Sequence, residues 1–516
     1  MGVSVLAGCG GGSSTPPPPI AGNFAISLSA PSATLIPGGS QQVTAQVTGT
    51  GGFTGNVSIS CTGMPQGITV SPSPLTLAAG SSGTLTISAA NNAPQDSAPV
   101  TCNGTARVTG TGAQLSVALT FDNAAFTPTT MDLPVVTITT TDGVPIVSKD
   151  DYVTGHLSIH PNGADVAFAY EGDMQIRGRG NSSWWLFDKK PYKVKLNSKA
   201  SLFGLPSDKE WVLLANFSDK TLLRNMVAME LSRRFGMAFT PHSTPVEVFL
   251  NGNYRGTYLL MESIKIAKSR VNIPSMAATD IAGDALTGGY LLEVDERLDG
   301  TTVFTTSHNL PIVVHDPDPA TAEQLAYIKD YYEQIEATLD SANFADPTDG
   351  YPKYLDSDSF MNWYLANEIN SNVDAYFYSS CWMYKQRADK MYMGPAWDFD
   401  LAFGNVDYSD SEFTAGWYVR RGPWLNRMFQ DPVFAQATKD RWNSLKATQI
   451  DTISTYIDQQ AAGLNQAQQN NFQRWPIMHE YVWPVPVIPG SYQGEVDQLK
   501  SWLSQRIVWM DAGFNQ

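Results

Sequence analysis

The chain has 516 residues, of which 42 % are hydrophobic and 16 % are charged, and its formal net charge is −16. At about 150 residues per domain this length predicts about three domains, and the hydrophobic fraction excludes a chain that is disordered throughout. An acidic chain lacks the basic surface that duplex nucleic acid requires, so nucleic-acid binding is excluded. No stretch of about 18 apolar residues occurs, so we expect no membrane-spanning helix.

The charged residues divide the chain into two unequal regions. Residues 1–130 contain only Asp96, Arg107 and Asp122 as charged residues, so their net charge is −1. Residues 131–516 carry the remaining −15. A step of this kind predicts a domain boundary near residue 130.

The amino terminus resembles a targeting signal. Residues 6–9 (Leu-Ala-Gly-Cys) match a bacterial lipobox, in which the cysteine is lipidated, but the stretch before Cys9 is short and has no Lys or Arg. Residues 10–19 are rich in Gly, Ser and Pro, which is typical of a tether. We therefore predict a lipobox remnant and tether over residues 1–21, with the membrane reached only through a lipid anchor at Cys9. The alternative is an ordinary disordered terminus.

Residues 22–130 predict an all-β module. Short alternating segments lie between Gly, Pro, Ser and Asn residues, a pattern that predicts a β-sandwich and resembles bacterial immunoglobulin-like modules. Cys61 and Cys102 lie in this region and form either one disulfide or two buried thiols. The module has almost no charge, so we expect a spacer, with glycan or protein binding as the alternative. The predicted strands are 24–28, 42–47, 57–60, 83–87 and 115–119.

Residues 131–516 begin with strands and continue with helices. The segment Asn251-Gly252 predicts a hairpin, and a helix is predicted from Asp219 to about Arg234. A strand-rich lobe followed by a helix-rich lobe is an α+β arrangement with a cleft between the lobes. The predicted strands are 133–139, 192–196, 211–214, 246–250, 256–260 and 290–294, and the later helices are 320–339 and 359–369.

Several sequence blocks in this region occur in the order of one known family. They include 177–184 (RGRGNSSW), 189–195 (KKPYKVK), 211–216 (WVLLAN), 288–293 (GGYLLE) and 394–400 (GPAWDFD). On these blocks, the chain from about residue 133 to the carboxyl end is similar to the CotH kinase family, atypical protein kinases related to spore-coat protein H. The resemblance implies an atypical, bilobal protein-kinase-like domain over residues 131–516 that uses ATP with Mg²⁺ or Mn²⁺.

Two aspartates near residue 400 are candidate metal ligands. Asp398 and Asp400 are two residues apart, so in an extended segment their carboxylates face the same side. Paired carboxylates suit a hard cation such as Mg²⁺. The alternative is that each Asp caps a turn or forms a salt bridge.

Asp374 is the candidate general base. It follows the predicted helix 359–369 on a short loop, from which a carboxylate can accept a proton from a hydroxyl nucleophile. The aromatic segment 376–384 is predicted to be a strand, with 391–393 as its hairpin partner. The order of loop carboxylate, hairpin and metal carboxylate is that of protein kinases. The alternative is a turn Asp that caps its own loop.

Basic residues upstream are candidate phosphate ligands. Lys195 lies on the predicted strand 192–196, where it shares a face with Lys193, and Arg177 and Arg179 lie in a glycine-containing turn. This turn is not a G-x-G-x-x-G motif, because the third glycine is absent. An exposed, solvated lysine is the alternative for Lys195.

Three further residues have roles implied by the kinase resemblance. Glu230, on the predicted helix, would pair with Lys195, or else form an exposed helical salt bridge. Glu262 ends a strand where a kinase hinge would lie and would contact the adenine or ribose; it is otherwise an ordinary strand-end carboxylate. Arg224 would clamp a phosphate or be structural.

The sequence therefore predicts a Ser/Thr-type atypical protein kinase that acts on a surface protein in the bacterial cell envelope or outside the cell. The main alternative is a non-catalytic adhesion or structural protein on a kinase-like scaffold, since a protein outside the inner membrane meets little ATP. A carbohydrate-active enzyme that uses Asp398 and Asp400 is a further alternative, but carboxylates two residues apart need not flank a glycosidic bond. The sequence does not indicate an oligomeric state.

Overall fold

The computed structural model describes residues 22–35, 40–90, 96–106, 108, 110–119 and 126–516. The lipobox, Cys9 and the tether predicted over residues 1–21 lie outside the described residues. The chain divides after residue 125 into two compact units. This division lies five residues from the step in charge at residue 130.

The first unit is a sandwich of two β-sheets in which most strand pairs are antiparallel. Its described strands are β1 (Asn23–Leu28), β2 (Ser32–Leu35), β3 (Ser40–Thr50), β4 (Asn56–Thr62), β5 (Ile68–Ser71), β6 (Leu75–Ala78), β7 (Ser82–Ala89), β8 (Asp96–Thr105), β9 (Gly110–Thr111) and β10 (Ala113–Leu119). One sheet has the order β5-β7-β3-β1-β9 and the other β2-β10-β8-β4-β6. The predicted β-rich region is therefore confirmed.

Alternation of small apolar and polar residues builds this sandwich. Val43, Ala45 and Val47 of β3 are buried between exposed neighbours, and they share one core with Val57 and Ile59 of β4 in the facing sheet. Apolar side chains at every second position bury one face of each sheet.

A disulfide crosses one of the two sheets. Cys61 of β4 lies opposite Cys102 of β8 in antiparallel register, and the two sulfur atoms are bonded. Cys381 in the second unit is a buried free thiol.

The second unit begins with a closed barrel. Its strands are β11 (Val135–Thr140), β12 (Val153–His160), β13 (Tyr170–Gly178), β14 (Tyr192–Ala200), β15 (Asp208–Leu214), β16 (Ser243–Leu250) and β17 (Asn253–Glu262). They follow the order β11-β12-β13-β14-β15-β17-β16, and the parallel pairing of β11 with β16 closes the barrel. Asn251 and Gly252 both have positive φ in the turn between β16 and β17, as the predicted hairpin requires.

A mixture of sheet and helices follows the barrel, which confirms the predicted α+β class. The second sheet has the order β19-β20-β18-β21-β22, with β18 (Tyr290–Val294), β19 (Thr302–Thr305), β20 (Pro311–Asp316), β21 (Cys381–Lys385) and β22 (Met391–Met393). The α-helices are α1 (Ser182–Trp185), α2 (Arg224–Arg234), α3 (Gly283–Leu286), α4 (Ala322–Asp340), α5 (Ser357–Glu368), α6 (Pro423–Met428), α7 (Pro432–Leu445), α8 (Ile453–Gly463), α9 (Asn465–Arg474) and α10 (Tyr492–Asn515). In the described part of the chain, no helix combines the length and the apolar character that crossing a membrane requires.

Helix α2 begins later than the sequence predicted. The helix was expected to start at Asp219, but its first residue is Arg224. Leu222 has a φ of 60°, which the right-handed helix does not allow. The Asp219 carboxylate accepts hydrogen bonds from the backbone N–H groups of Thr221 and Arg224, so residues 219–223 form a turn before the helix.

Strand β21 is also shorter than predicted. The strand was expected over residues 376–384, but it begins at Cys381. Phe377 and Ser380 have φ values of 69° and 56°, so the aromatic residues after Asp374 form turns and not a strand.

We expect loss of the Cys61–Cys102 disulfide to destabilise the first unit selectively. The crosslinked cysteines are 41 residues apart, and removing a crosslink across a loop of this size costs about 2–4 kcal/mol. A Cys61→Ala/Cys102→Ala variant of the full chain should therefore unfold partly at lower urea concentration, as followed by far-UV circular dichroism.

Tryptophan fluorescence provides the control for this measurement. All tryptophans lie at or after Trp184, so the fluorescence transition reports the second unit alone and should not move. An unchanged circular dichroism transition in the variant would contradict the prediction.

Candidate functional site

A cavity of about 400 Å³ in the second unit brings together residues that are far apart in the chain. Arg177 lies in β13, one residue before the end of the strand and not in the predicted turn, and Arg179 follows the strand. Asp374 lies in the turns after α5, and Asp398 and Asp400 follow β22. Other residues that line this cleft are Lys149, Asn181, Ser182, Ser183, Lys193, Glu293, Asp295, Arg297, His315, Ser379, Ser380, Trp382, Trp397 and Trp483.

The segment from Asp398 to Asp400 places two carboxylates on the same side. Phe399 between them is fully buried, while Asp398 and Asp400 both line the cleft. The extended geometry expected from the sequence is wrong, however, because Asp398 has a φ of 65° and Asp400 lies in a turn. Ser380 and Ser218 donate side-chain hydrogen bonds to Asp398 Oδ2 (3.3 Å) and Asp400 Oδ2 (3.4 Å), respectively.

Three asparagine side chains fix the backbone of this segment. The Asn225 side chain accepts the N–H of Phe399 at 3.1 Å. Asn372 and Asn405 donate to the carbonyl oxygens of Asp398 and Asp400, at 3.2 and 2.7 Å. Because these amides satisfy the backbone, the two carboxylates are left to face the cleft.

The Asp398 carboxylate is close enough to perturb that of Asp400. Burial and the neighbouring carboxylate of Asp398 raise the pKa of Asp400 well above its ordinary value. Like charges in a partly buried site disfavour full ionisation unless a proton or a cation lies between them.

This pair fits a hard divalent cation. Carboxylate oxygens are the preferred ligands of Mg²⁺, which usually keeps several waters and takes one or two carboxylates plus substrate phosphates. Within the described ranges, there is no group of three or more His, Cys, Asp or Glu side chains arranged to hold a metal ion. Any metal ion at Asp398 and Asp400 would therefore need phosphate or water for its remaining ligands.

Asp374 lines the same cleft, and its pKa is unusually high for an aspartate. Burial, and then the charge of Asp398, raise its pKa from 3.8 to about 7, against the opposing effect of Arg297. A carboxylate with such a pKa changes its charge near neutral pH and accepts a proton more readily than an ordinary aspartate.

A buried ion pair anchors the loop that carries Asp374. Glu368, the last residue of α5, is fully buried and pairs with the fully buried Arg506 of α10, with 2.5 Å between Arg506 Nη2 and Glu368 Oε1. The Glu368 carboxylate also accepts the N–H groups of Tyr418 and Arg420, at 2.7 and 2.9 Å. The Tyr418 hydroxyl in turn donates to the carbonyl of Val373 at 3.1 Å. The residue before Asp374 is thus tied to the carboxyl-terminal helix.

Positive charges line the cleft opposite the aspartates. The Arg179 guanidinium lies over the Trp397 ring, 5.5 Å from its centroid. Burial lowers the pKa of Arg179, but the carboxylates of Asp398 and Asp400 oppose that effect. Lys193 of β14 also lines the cleft, where its ammonium group pairs with Glu210 at 2.8 Å.

Lys195 and Glu230 do not line the cleft. Lys195 shares the outer face of β14 with Lys193, as predicted, but it is exposed and lies one alternate position farther along the strand. Glu230 of α2 pairs with Arg233 and Arg234, at 3.0 and 2.7 Å, and not with Lys195. It forms the helical salt bridges that the sequence offered as its alternative.

Glu262 and Arg224 are likewise outside the cleft. Glu262 is fully buried at the end of β17, where its carboxylate pairs with Arg270 and with His242. Arg224 is buried, pairs with Asp219 at 2.6 Å and donates to the carbonyl of Ala402 at 3.2 Å. Through its hydrogen bond to Ala402, Arg224 therefore holds the segment after Asp400 without lining the cleft.

Sequence reasoning missed several residues that line the cleft. His315 of β20 stacks on Trp382 of β21, with 4.4 Å between ring centroids, and its Nε2 lies 2.6 Å from Glu293 Oε2. Ser379 donates to Asp295 at 2.9 Å. Glu293 ends the sequence block 288–293, so a signal for it existed. Nothing in the sequence around His315 indicated a site.

Comparison with known proteins agrees with the resemblance inferred from the sequence blocks. The family model described as CotH kinase protein matches residues 176–510. This match covers well over half of the chain, and the protein belongs to the CotH kinase family. No curated protein matches the chain.

Some solved structures show a limited likeness to the chain. Domains 4 and 5 of the S-layer protein SbsC are 13 % identical, over 18 % of this chain and 50 % of that one, with a TM-score of 0.15. The chaperone DraB from E. coli is 11 % identical, over 36 % of this chain and 95 % of that one, with a TM-score of 0.17. The chain thus spans half of the SbsC fragment, and TM-scores this low assign no fold.

We expect the Glu368–Arg506 pair to be important for stability. A Glu368→Gln substitution leaves the Arg506 charge buried and uncompensated, which typically costs about 3–5 kcal/mol. Urea unfolding followed by tryptophan fluorescence measures this loss. The matched control is Asp458→Asn, which breaks the more exposed Lys500–Asp458 pair and should change stability by less than about 1 kcal/mol. Equal effects of the two substitutions would contradict the prediction.

The raised pKa of Asp374 predicts a pH-dependent gain in stability when its charge is removed. The folded protein binds a proton at Asp374 between pH 4 and about 7 that the unfolded chain has released, so this group destabilises the fold as pH rises through that window. Asp374→Asn should therefore be stabilising by about 1–2 kcal/mol at pH 8 and nearly neutral at pH 4. Denaturant midpoints at the two pH values test this, with the exposed Asp330→Asn as control. A gain that is the same at both pH values would refute the assignment.

Proposed function

We propose that this member of the CotH kinase family transfers the γ-phosphoryl group of ATP to a serine or threonine hydroxyl of a cell-surface or secreted protein. One observation carries the proposal: Asp374, with a pKa near 7, shares a cleft with the Asp398–Asp400 pair and with Arg177 and Arg179. Phosphoryl transfer uses a positioned base, carboxylates for a metal ion and cations for the phosphates.

In the proposed reaction, Asp374 is the general base. The acceptor hydroxyl gives its proton to the Asp374 carboxylate as its oxygen bonds to the γ-phosphorus, and the bond from that phosphorus to the β–γ bridging oxygen breaks to release ADP. A base with a pKa near the working pH is well matched to this task, since it is ionised in part and still a strong proton acceptor. The ties from Val373 to Tyr418 and from Tyr418 to Glu368 would hold the base in place.

Asp398 and Asp400 would hold Mg²⁺ or Mn²⁺, which supplies charge neutralisation for the phosphates when it is bound. The chain's own part is to fix the backbone that carries both carboxylates, through Asn225, Asn372 and Asn405, so that the two side chains would be positioned before a metal ion binds.

Arg177, Arg179 and Lys193 would hold the phosphates. In this proposal Lys193 takes the place first given to Lys195, because Lys193 lines the cleft and Lys195 does not. The stacked rings of His315 and Trp382 offer an aromatic surface for the nucleoside base. These two rings replace Glu262 as the proposed contact for the nucleoside, because the Glu262 carboxylate pairs with Arg270.

The distribution of these groups supports a two-lobed, kinase-like arrangement. The phosphate-binding candidates come from the barrel, at the end of β13 and on β14. The base and the metal-binding pair come from the part of the chain that follows β20, on either side of the β21–β22 hairpin. A nucleotide in the cleft would therefore contact both parts of the second unit.

The acceptor and the location rest on the sequence alone. We propose a lipid anchor at Cys9 and a site of action in the bacterial cell envelope or outside the cell. If no nucleotide enters the cleft, the same scaffold would serve adhesion or structure without catalysis, and the following experiment separates the two functions.

The full chain should bind ATP in the presence of Mn²⁺ in a calorimetric titration. Lys193→Ala should weaken this binding about tenfold, because it removes a charge-assisted contact to phosphate, whereas Lys195→Ala should leave it unchanged. Asp398→Ala should abolish the Mn²⁺-dependent part of the affinity. Both lysines lie on the same face of the same strand, so the pair of variants is a matched comparison.

Two outcomes would count against this proposal. Absence of saturable ATP binding by the folded protein would overturn the kinase assignment and favour the non-catalytic scaffold. Equal weakening by Lys193→Ala and Lys195→Ala would show that the cations act through the general surface potential and not through the cleft.

A further inference from the structure

The second unit contains another cavity, of about 280 Å³, that shares no lining residue with the cleft. It lies between the residues that follow α2, the amino-terminal turn of α5 and the β21–β22 hairpin. Neither the family resemblance nor the proposed reaction gives it a role. Its lining is therefore the evidence for what it binds.

Most of the lining is apolar and aromatic. The residues that contribute apolar surface are Met237, Phe239, Tyr384, Tyr392, Met393 and Pro395. Tyr384 and Tyr392 are directly opposite in the β21–β22 ladder, and their rings are parallel within 4°, with centroids 5.3 Å apart. Aromatic ring faces carry negative electrostatic potential and attract cations.

The charged groups of the lining are acidic. Asp356 and Asp358 both line the cavity, and the described lining residues include no Lys or Arg. Asp356 caps α5 by accepting the Ser359 N–H at 2.8 Å through one oxygen, and its charge reaches the Tyr384 ring, where it adds to burial in raising the pKa to about 12. The nearest competing cation is Arg441, whose guanidinium lies 3.8 Å from Asp358. That distance is longer than a normal hydrogen bond.

Polar groups that could orient a ligand also reach this cavity. Gln386 lines it with an amide group, whereas the Asn362 amide is already engaged: it donates to the carbonyl of Gly236 at 3.3 Å and accepts from Arg441 at 3.0 Å. The Tyr392 hydroxyl donates to Asp389 at 2.9 Å, which fixes its ring beside Tyr384. An apolar pocket with a few placed polar groups is the usual form of a small-molecule site.

We propose that this cavity binds a small organic cation, namely a protonated primary amine on a short aromatic or aliphatic body. The ring faces and apolar side chains would contact the body, and the carboxylates of Asp356 and Asp358 would accept hydrogen bonds from the ammonium group. Anions such as nucleotides are disfavoured here by the same carboxylates. The proposal does not depend on kinase activity, because it concerns a different set of residues.

Calorimetric titration of the full chain with 2-phenylethylamine tests the proposal. The neutral analogue 2-phenylethanol has nearly the same shape, so it should bind about tenfold more weakly if the cation is recognised. Asp356→Asn should weaken amine binding about fivefold, because it removes the charge while an Asn still caps the helix. Arg441→Met should tighten amine binding, because it removes the competing cation.

Three further variants locate the binding. Tyr392→Leu should weaken amine binding by removing one ring face, whereas Asp497→Asn, on the exposed surface of α10, should have no effect. Asp398→Ala should also leave amine binding intact, because Asp398 belongs to the cleft. Equal affinity for the amine and the alcohol, absence of saturable amine binding, or loss of amine binding in Asp398→Ala would each overturn the proposal.

Discussion

The repulsion among three carboxylates is the constraint on which the arrangement of the cleft depends. Asp374, Asp398 and Asp400 line one partly buried cleft, and burial together with the charge of Asp398 raises the pKa of the other two. An isolated site of this kind would relax by turning one side chain toward water. The carboxylates stay because their backbone is fixed from outside the cleft, by amide side chains at the Asp398–Asp400 segment and by the tie from Tyr418 to Val373.

These supports come from parts of the chain that are distant in sequence. Asn225 belongs to α2, whose start is set by the buried Asp219–Arg224 pair, and Arg224 also reaches the carbonyl of Ala402. Arg506 lies on the carboxyl-terminal helix and completes the Glu368 site beneath Asp374. Because the net contribution of a buried ion pair is small compared with the cost of breaking it, these pairs specify the geometry of the cleft more than they add to overall stability.

Local patterns in the sequence predicted many of the strands and the acidic side of the cleft, but not where α2 and β21 begin. The two-residue spacing of Asp398 and Asp400 predicted that both carboxylates share one side of an extended segment; both do line the cleft, but Asp398 has a φ of 65° and the segment is not extended. Alternation placed Lys193 and Lys195 together on β14. Which of these lysines meets the cleft depends on how the barrel closes, which strand periodicity does not contain. Glu230 precedes Arg233 and Arg234 by three and four residues, so its salt bridges followed from helical spacing alone. The partners of Glu262 are Arg270, eight residues later, and His242, twenty residues earlier, and neither helical nor strand spacing pairs them with it.

The cleft and the smaller cavity both take lining residues from strand β21 and from the segment that follows β22. Trp382 and Tyr384 are alternate residues of β21, and the first lines the cleft while the second lines the smaller cavity. In the segment that follows β22, Pro395 lines the smaller cavity, and Trp397 lines the cleft beneath Arg179. Two residues separate Pro395 from Asp398, and the Asn372 side chain donates a hydrogen bond to the Asp398 carbonyl. Pro395 and Trp397 are separated by one residue, so a short segment with one fixed backbone supplies a wall to each cavity while the two sets of lining residues stay distinct.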